Sequence, residues 1–101
     1  MIDIAARIRN QNYLSKVMTP EEAAMLIHPG DVVAVSGFTP AGYPKEVPLA
    51  LAKRMEKEPF QITLYAGASL GDEVDGALAR AHGISRRLAY QTYAVRLTTA
   101  A

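Results

Sequence analysis

Gly30-Asp31-Val32-Val33-Ala34-Val35-Ser36-Gly37-Phe38-Thr39-Pro40-Ala41-Gly42-Tyr43-Pro44 is the stretch on which the fold turns. It opens with a short β-branched run, apolar at successive positions rather than alternate ones. Such a run predicts a strand buried on both faces, as in a parallel sheet. The strand feeds directly into a loop, Gly37 to Pro44, that holds two glycines and two prolines. A helix is expected from about Val47, with Pro48 tolerated in its first turn. Val47, Leu51 and Met55 recur every four residues and make one apolar stripe, while Lys53, Arg54, Glu56 and Lys57 are expected to face water. Pro59 ends that helix.

Upstream, Thr19-Pro20-Glu21-Glu22 reads as a helix start. Thr19 caps, Pro20 takes the first helical position, and Glu22 completes a capping box. Ala23 to Ile27 continue as a short apolar helix, and His28-Pro29-Gly30 stops it. Downstream, Phe60, Ile62, Leu64 and Ala66 alternate on one face of a second strand. Gly67-Ala68-Ser69-Leu70-Gly71 follows as a second small-residue loop. A third helix is expected from about Asp72, capped by Ser69 or Asp72, with Val74, Ala77, Leu78 and Ala81 buried. His82-Gly83 reads as its C-terminal cap. A third strand is expected from Arg87 to about Tyr93. The order is helix, strand, glycine loop, helix, strand, glycine loop, helix, strand. That alternation predicts an α/β fold: an open, mostly parallel sheet with flanking helices.

The chain has 101 residues, 50% hydrophobic and 21% charged, with a formal net charge of +1. This mix suits a globular domain and argues against disorder. It also argues against a nucleic-acid binder, which would carry a clear excess of Lys and Arg. There are no cysteines, so disulfides, thiolate zinc sites and Cys nucleophiles are excluded. Two histidines, His28 and His82, argue against a His-built metal site. No stretch approaches the roughly 18–20 apolar residues that span a bilayer. Met1 to Asn10 has no apolar core of the secretory kind, so a cytoplasmic location is expected.

In an open parallel sheet, ligands bind beyond the carboxyl ends of the strands, where both glycine loops lie. Free N–H groups around Gly37 and Gly42 are suited to a phosphate or a developing oxyanion. The first loop lacks the Gly-Lys-Ser/Thr ending of a P-loop and the spacing of a dinucleotide fingerprint. A tight turn without a ligand explains it as well. Ser69 reads better as a helix cap than as a nucleophile. Asp72, Glu73 and Asp75 read better as first-turn charges favoured by the helix dipole than as acid–base carboxylates. His28 and His82 read as helix-end residues, and Arg86-Arg87 as solvated surface. Tyr90 and Tyr93 are expected to pack on the sheet.

Gly30 to Pro44 resembles the amino-terminal signature of the CoA-transferases: an apolar strand, Gly-Phe, three residues, Gly, one residue, Pro. Ser36-Gly37-Phe38-Thr39 is similar to the strand end of the acetyl-CoA hydrolase/transferase branch, which includes succinyl-CoA:acetate CoA-transferases. Pro44-Lys45-Glu46-Val47-Pro48, Leu64 to Ser69 and Arg86 to Gln91 resemble it as well. The likeness covers roughly residues 16–91, and 92–101 read as an atypical tail.

The resemblance implies an acyl-CoA enzyme. In that family a glutamate attacks the acyl-CoA thioester, giving an acyl-glutamyl anhydride and then a glutamyl-CoA thioester, with a small carboxylate or water as acceptor. It also implies a protein several times longer, with two α/β domains and the nucleophile in the carboxyl-terminal one. None of Glu21, Glu22, Glu46, Glu56, Glu58 or Glu73 matches that glutamate's motif, so no catalytic residue is expected in residues 1–101. The chain therefore reads as a partial amino-terminal domain, inactive alone. By resemblance, Gly37, Phe38, Thr39, Gly42 and Pro44 border the acyl or CoA pocket, with Gly67, Ala68 and Ser69 of the second loop as further substrate-binding positions. Coenzyme A is expected only as substrate thioester, with no resident cofactor and no metal. The expected partners are acyl-CoA, a small carboxylate, the carboxyl-terminal domain and a second copy of the chain, with neither nucleic acid nor membrane. Two other classes stay open: a small Rossmann-like module that binds a nucleotide or phosphate without catalysis, and an interaction domain with no ligand.

Overall fold

The computed structural model describes residues 4–37 and 41–88. It begins with helix α1 (Ile4–Arg7) and a 3₁₀ turn (Gln11–Lys16), neither of which buries a residue. Helix α2 (Pro20–Ala24) has the expected capping box: the Glu22 amide donates to Thr19 Oγ1 at 3.1 Å, and the Thr19 amide donates to Glu22 Oε1 at 3.2 Å. This helix ends earlier than its apolar run suggests. Only Ala24 is buried, and Met25 and Leu26 are exposed. Arg54 explains the stop, since its Nη1 donates to the Ala24 carbonyl at 2.9 Å and the Ile27 carbonyl at 2.6 Å. Those carbonyls are helix-end acceptors that need a donor. Arg54 therefore does not face water as its place on the charged stripe suggests. Its Nε is buried, and its guanidinium also lies over the Phe60 ring, 4.5 Å from the centroid.

Three strands follow: β1 (Val32–Val35), β2 (Ile62–Ala66) and β3 (Ile84–Leu88). They form one parallel sheet in the order β1-β2-β3. Val32 lies beside Thr63 and Val35 beside Ala66. On the other side Ile62 pairs with Ile84 and Thr63 with Arg86, so the register slips between Ile62 and Thr63. The third strand starts at Ile84, three residues before the expected Arg87, and the expected continuation to Tyr93 lies outside the described residues.

Helix α3 (Glu46–Lys57) joins β1 to β2, and a π turn (Asp72–Gly76) running into α4 (Ala77–Arg80) joins β2 to β3. Both crossovers step the same way across the sheet, so right-handed connections put them on one face. There α3 packs on α4 and the π turn. Leu51 and Met55 of α3, Ile62 and Leu64 of β2, and Val74 and Leu78 form the centre of the core. Truncating Leu51 there would cost about 2–5 kcal/mol. The last turn of α4 closes as a Schellman motif, with the His82 amide donating to Ala79 O at 3.0 Å and the Gly83 amide to Leu78 O at 2.9 Å. His82, not Gly83, takes the left-handed conformation, at φ 55. Gly83 is needed for a different reason: a Cβ there would overlap Met55 Sδ.

The other face of the sheet has no helix on it among the described residues. Val32 is 68% exposed and Tyr65 51%, with Ala34 exposed between them in the sheet. The expectation that β1 is buried on both faces is thus overturned. Val33 and Val35 are half-buried on the helix side only. A β-branched run fits a strand covered on one face as readily as on two, and among the described residues β1 is at the edge of the sheet.

Candidate functional site

The two glycine loops leave the carboxyl ends of β1 and β2, neighbouring strands of a parallel sheet. This is where open α/β sheets place ligands. The first loop turns on Gly37 at φ 108 and Gly42 at φ 80, conformations that favour glycine. A Cβ on Gly37 would stand 2.7 Å from the Tyr43 amide nitrogen and 2.8 Å from the Gly42 carbonyl. The loop is therefore folded tightly on itself, backbone against backbone. Its exit runs into α3 through Lys45, whose side chain makes no capping hydrogen bond to that helix. The positive end of the α3 dipole lies at this loop. Pro44, Val47 and Pro48 border an apolar gap of about 210 Å³ that reaches into the core, where Leu51, Leu64, Val74 and Leu78 line it.

The second loop is shaped by a buried ion pair. Asp75 is fully buried, and its Oδ2 accepts from the Leu70 amide at 2.8 Å. Arg87 Nε donates to Asp75 Oδ1 at 2.9 Å. Arg87 Nη2 reaches Asp75 Oδ2 at 3.3 Å and the Ala68 carbonyl at 3.1 Å. The guanidinium thus ties β3 to the backbone of the loop, and the carboxylate holds the loop's next amide. Burying both charges together avoids the several kcal/mol cost of leaving either unpaired. Leu70 is fully buried under this arrangement.

These contacts correct one expectation and extend another. Arg87 is not solvated surface, since its side chain is only 6% exposed. The three acids at 72, 73 and 75 do lie in the first turn, as expected, and each also has its own partner. Asp72 makes a two-pronged pair with Arg80, at 2.8 and 2.7 Å. Glu73 Oε1 accepts from the Tyr43 hydroxyl at 2.7 Å. Arg80 holds the Asp72 carboxyl below its ordinary pKa, and the Tyr43 hydrogen bond does the same for Glu73. The residue that caps the π turn is Gly71, not Ser69 or Asp72.

Of the expected substrate positions, Gly37, Gly42 and Pro44 lie on the first loop, and Gly67, Ala68 and Ser69 on the second, all at the carboxyl end of the sheet. Phe38 and Thr39 lie outside the described residues, as do Tyr90 and Tyr93. His28 is at the opposite end of β1, exposed, with Nδ1 3.7 Å from Asp31. Its amide donates to Asp31 Oδ2 at 2.7 Å, a turn contact. Four residues that shape the site were given no such role in the sequence reading: Tyr43, Glu73, Asp75 and Arg87. The pairs they form are 30 and 12 residues apart, beyond the reach of any local pattern. Among the described residues no three His, Cys, Asp or Glu side chains gather to hold a metal ion. Among them, too, no helix is long and apolar enough to cross a membrane.

Over 88 residues the chain is 52% identical to a succinyl-CoA:acetate CoA-transferase of Clostridium kluyveri, covering 85% of this chain and 16% of that protein. Over 80 residues it is 48% identical to a propanoyl-CoA:succinate CoA transferase of Escherichia coli, covering 74% of this chain and 16% of that protein. An acetyl-CoA hydrolase of Neurospora crassa is 36% identical over 92 residues, covering 87% of this chain and 18% of that protein. The chain thus spans less than a fifth of the length of these curated relatives. Residues 1–99 match the family model of the acetyl-CoA hydrolase/transferase N-terminal domain, and the chain belongs to that family.

Proposed function

We propose that this chain is the amino-terminal part of an acyl-CoA hydrolase or CoA-transferase. It works on acetyl-CoA or succinyl-CoA, with acetate or another small carboxylate as acceptor. The observation that carries this reading is the 52% identity to a succinyl-CoA:acetate CoA-transferase over a segment that includes both glycine loops.

The chemistry runs through a glutamate outside residues 1–101. Its carboxylate oxygen adds to the thioester carbonyl, the C–S bond breaks, and CoA leaves as thiolate, giving an acyl-glutamyl anhydride. The thiolate then attacks the glutamyl carbonyl of the anhydride, releasing the first acid and leaving glutamyl-CoA. An acceptor carboxylate repeats these steps in reverse order to take the CoA, or water hydrolyses the thioester. Covalent catalysis of this kind divides one hard displacement into easier ones. The residues of this chain supply the floor rather than the nucleophile. Gly37 and Gly42 let backbone N–H groups approach a substrate oxygen, and the α3 dipole favours negative charge beside them. The compartment is the cytoplasm, to be checked by cell fractionation.

The test is turnover of succinyl-CoA with acetate by the full-length protein that carries this segment. Formation of acetyl-CoA supports the reading; no turnover of any acyl-CoA overturns it. Residues 1–101 alone should form no hydroxylamine-trappable acyl-enzyme. In thermal-shift titrations the full-length protein should be stabilised by CoA. Stabilisation by NAD or ATP and not by CoA would instead favour a nucleotide-binding module.

A further inference from the structure

The two glycine loops meet at one side chain, Tyr43. We propose that Tyr43 is a positioning residue that fixes the first loop against the second and so sets the spacing of the substrate floor. The inference rests on the acyl-CoA reading above and deepens it.

Four contacts support it. The ring lies against Gly71, the last residue of the second loop, so closely that a Cβ there would overlap the ring and its hydroxyl. The hydroxyl donates to Glu73 Oε1 at 2.7 Å, two residues further on. Lys45 Nζ sits 3.8 Å from the ring centroid, and it also donates to the Tyr43 carbonyl at 3.1 Å. The Tyr43 amide is itself wedged against Gly37. A continuous path therefore runs from Gly37 through Tyr43 to Gly71 and Glu73. Its three links use different forces: backbone packing, ring contact and a charge-assisted hydrogen bond, while the Lys45 cation braces the ring face.

A loop built on glycine has many conformations open to it. Ordering it when the ligand arrives weakens binding, and ordering it beforehand removes that cost. An aromatic plate clamped on Gly71 orders both loops at once. Because Tyr43 acts through the loops and not on the reacting atoms, its loss should fall on substrate affinity more than on the rate of the bound complex.

The experiment measures KM and kcat for acyl-CoA in the full-length protein, for Tyr43→Phe, Tyr43→Ala and Gly71→Ala. Amide hydrogen exchange of residues 67–71 is followed in the same proteins. Tyr43→Ala and Gly71→Ala should each raise KM about tenfold, about 1.4 kcal/mol, with kcat changed less. Tyr43→Phe keeps the plate and should recover most of the affinity. Gly71→Ala pushes the ring aside without removing it, so it reports on the tie even if Tyr43→Ala folds poorly. Exchange at the loop amides should quicken about tenfold in both alanine variants. Unchanged exchange overturns the proposal. Faster exchange with unchanged KM overturns it too, because the contact would then serve folding alone. If the unmodified protein turns over no acyl-CoA, the acyl-CoA reading fails, and the exchange comparison still decides whether Tyr43 ties the loops.

Discussion

The loop after β1 and the loop after β2 leave the same end of one sheet, yet they are held in different ways. The first turns back on its own backbone at Gly37, with no buried charge, and leans outward on Tyr43. The second is pinned from inside by Asp75 and Arg87, both almost wholly buried. Position in the sheet accounts for the contrast. Among the described residues β1 is at the edge of the sheet, and Ser36, Ala41 and Gly42 next to it are exposed, with water available to their polar groups. β2 is central, so its loop is partly enclosed, and its amide and carbonyl need partners from the protein. One loop is shaped by sterics and the other by satisfied polarity.

The largest expected effect comes from breaking the inner pin. Asp75→Ala strands a buried guanidinium and should lower the unfolding free energy by about 3–5 kcal/mol. Urea denaturation measures it, and the double variant Asp75→Leu/Arg87→Met should lose less than the single one. A loss under 1 kcal/mol from Asp75→Ala would mean that the two loops do not differ in this way. Next comes Gly37→Ala, where φ 108 and the approach of Tyr43 both oppose a side chain. Its cost should be about 1–3 kcal/mol, read from the same denaturation curves. Gly67→Ala meets open space at its Cβ and should cost under about 1 kcal/mol.

The smallest effect is electrostatic and separates Glu73, tied to the first loop, from Asp72, tied to Arg80. Both carboxyls titrate below their ordinary values in the folded protein. The unfolded chain therefore binds protons first as pH falls. Stability from these groups is complete above the unfolded values, near pH 4, and drains away as pH drops through the folded ones. Tyr43→Phe should move the Glu73 midpoint upward and leave Asp72 in place, as followed by NMR titration of the carboxyl carbons. Equal movement of both would erase the distinction.

What was legible in the sequence follows the range of the forces involved. The capping box at Thr19, the alternation of Ile62, Leu64 and Ala66, and the turns at Gly37 and Gly42 are local, and the structure has them. The alternating order of elements gave the parallel sheet. Arg87 was misread because its partner lies 12 residues back, and nothing next to it in sequence marks it as buried. Arg54 was misread because helical spacing places it among exposed charges, while the carbonyls that it caps come from α2. The one-sided burial of β1 was missed because apolar composition does not say how many faces are covered. In the site, the loops were legible and the tie between them was not, since Tyr43 and Glu73 are 30 residues apart.

The strand order has a consequence for how the chain folds. Among the described residues each strand pairs with its immediate successor in sequence, so neither pairing waits for a distant segment. Closing each crossover costs little more entropy than a connecting helix requires. The β1–α3–β2 unit has its partners to hand before β3 is made, an order that matches the order of synthesis. Short sequence separations favour rapid folding in parallel α/β units, which are otherwise slow. Among the described residues Val32 and Tyr65 are exposed on the face opposite the helices, an apolar surface that such an early unit presents as soon as it forms.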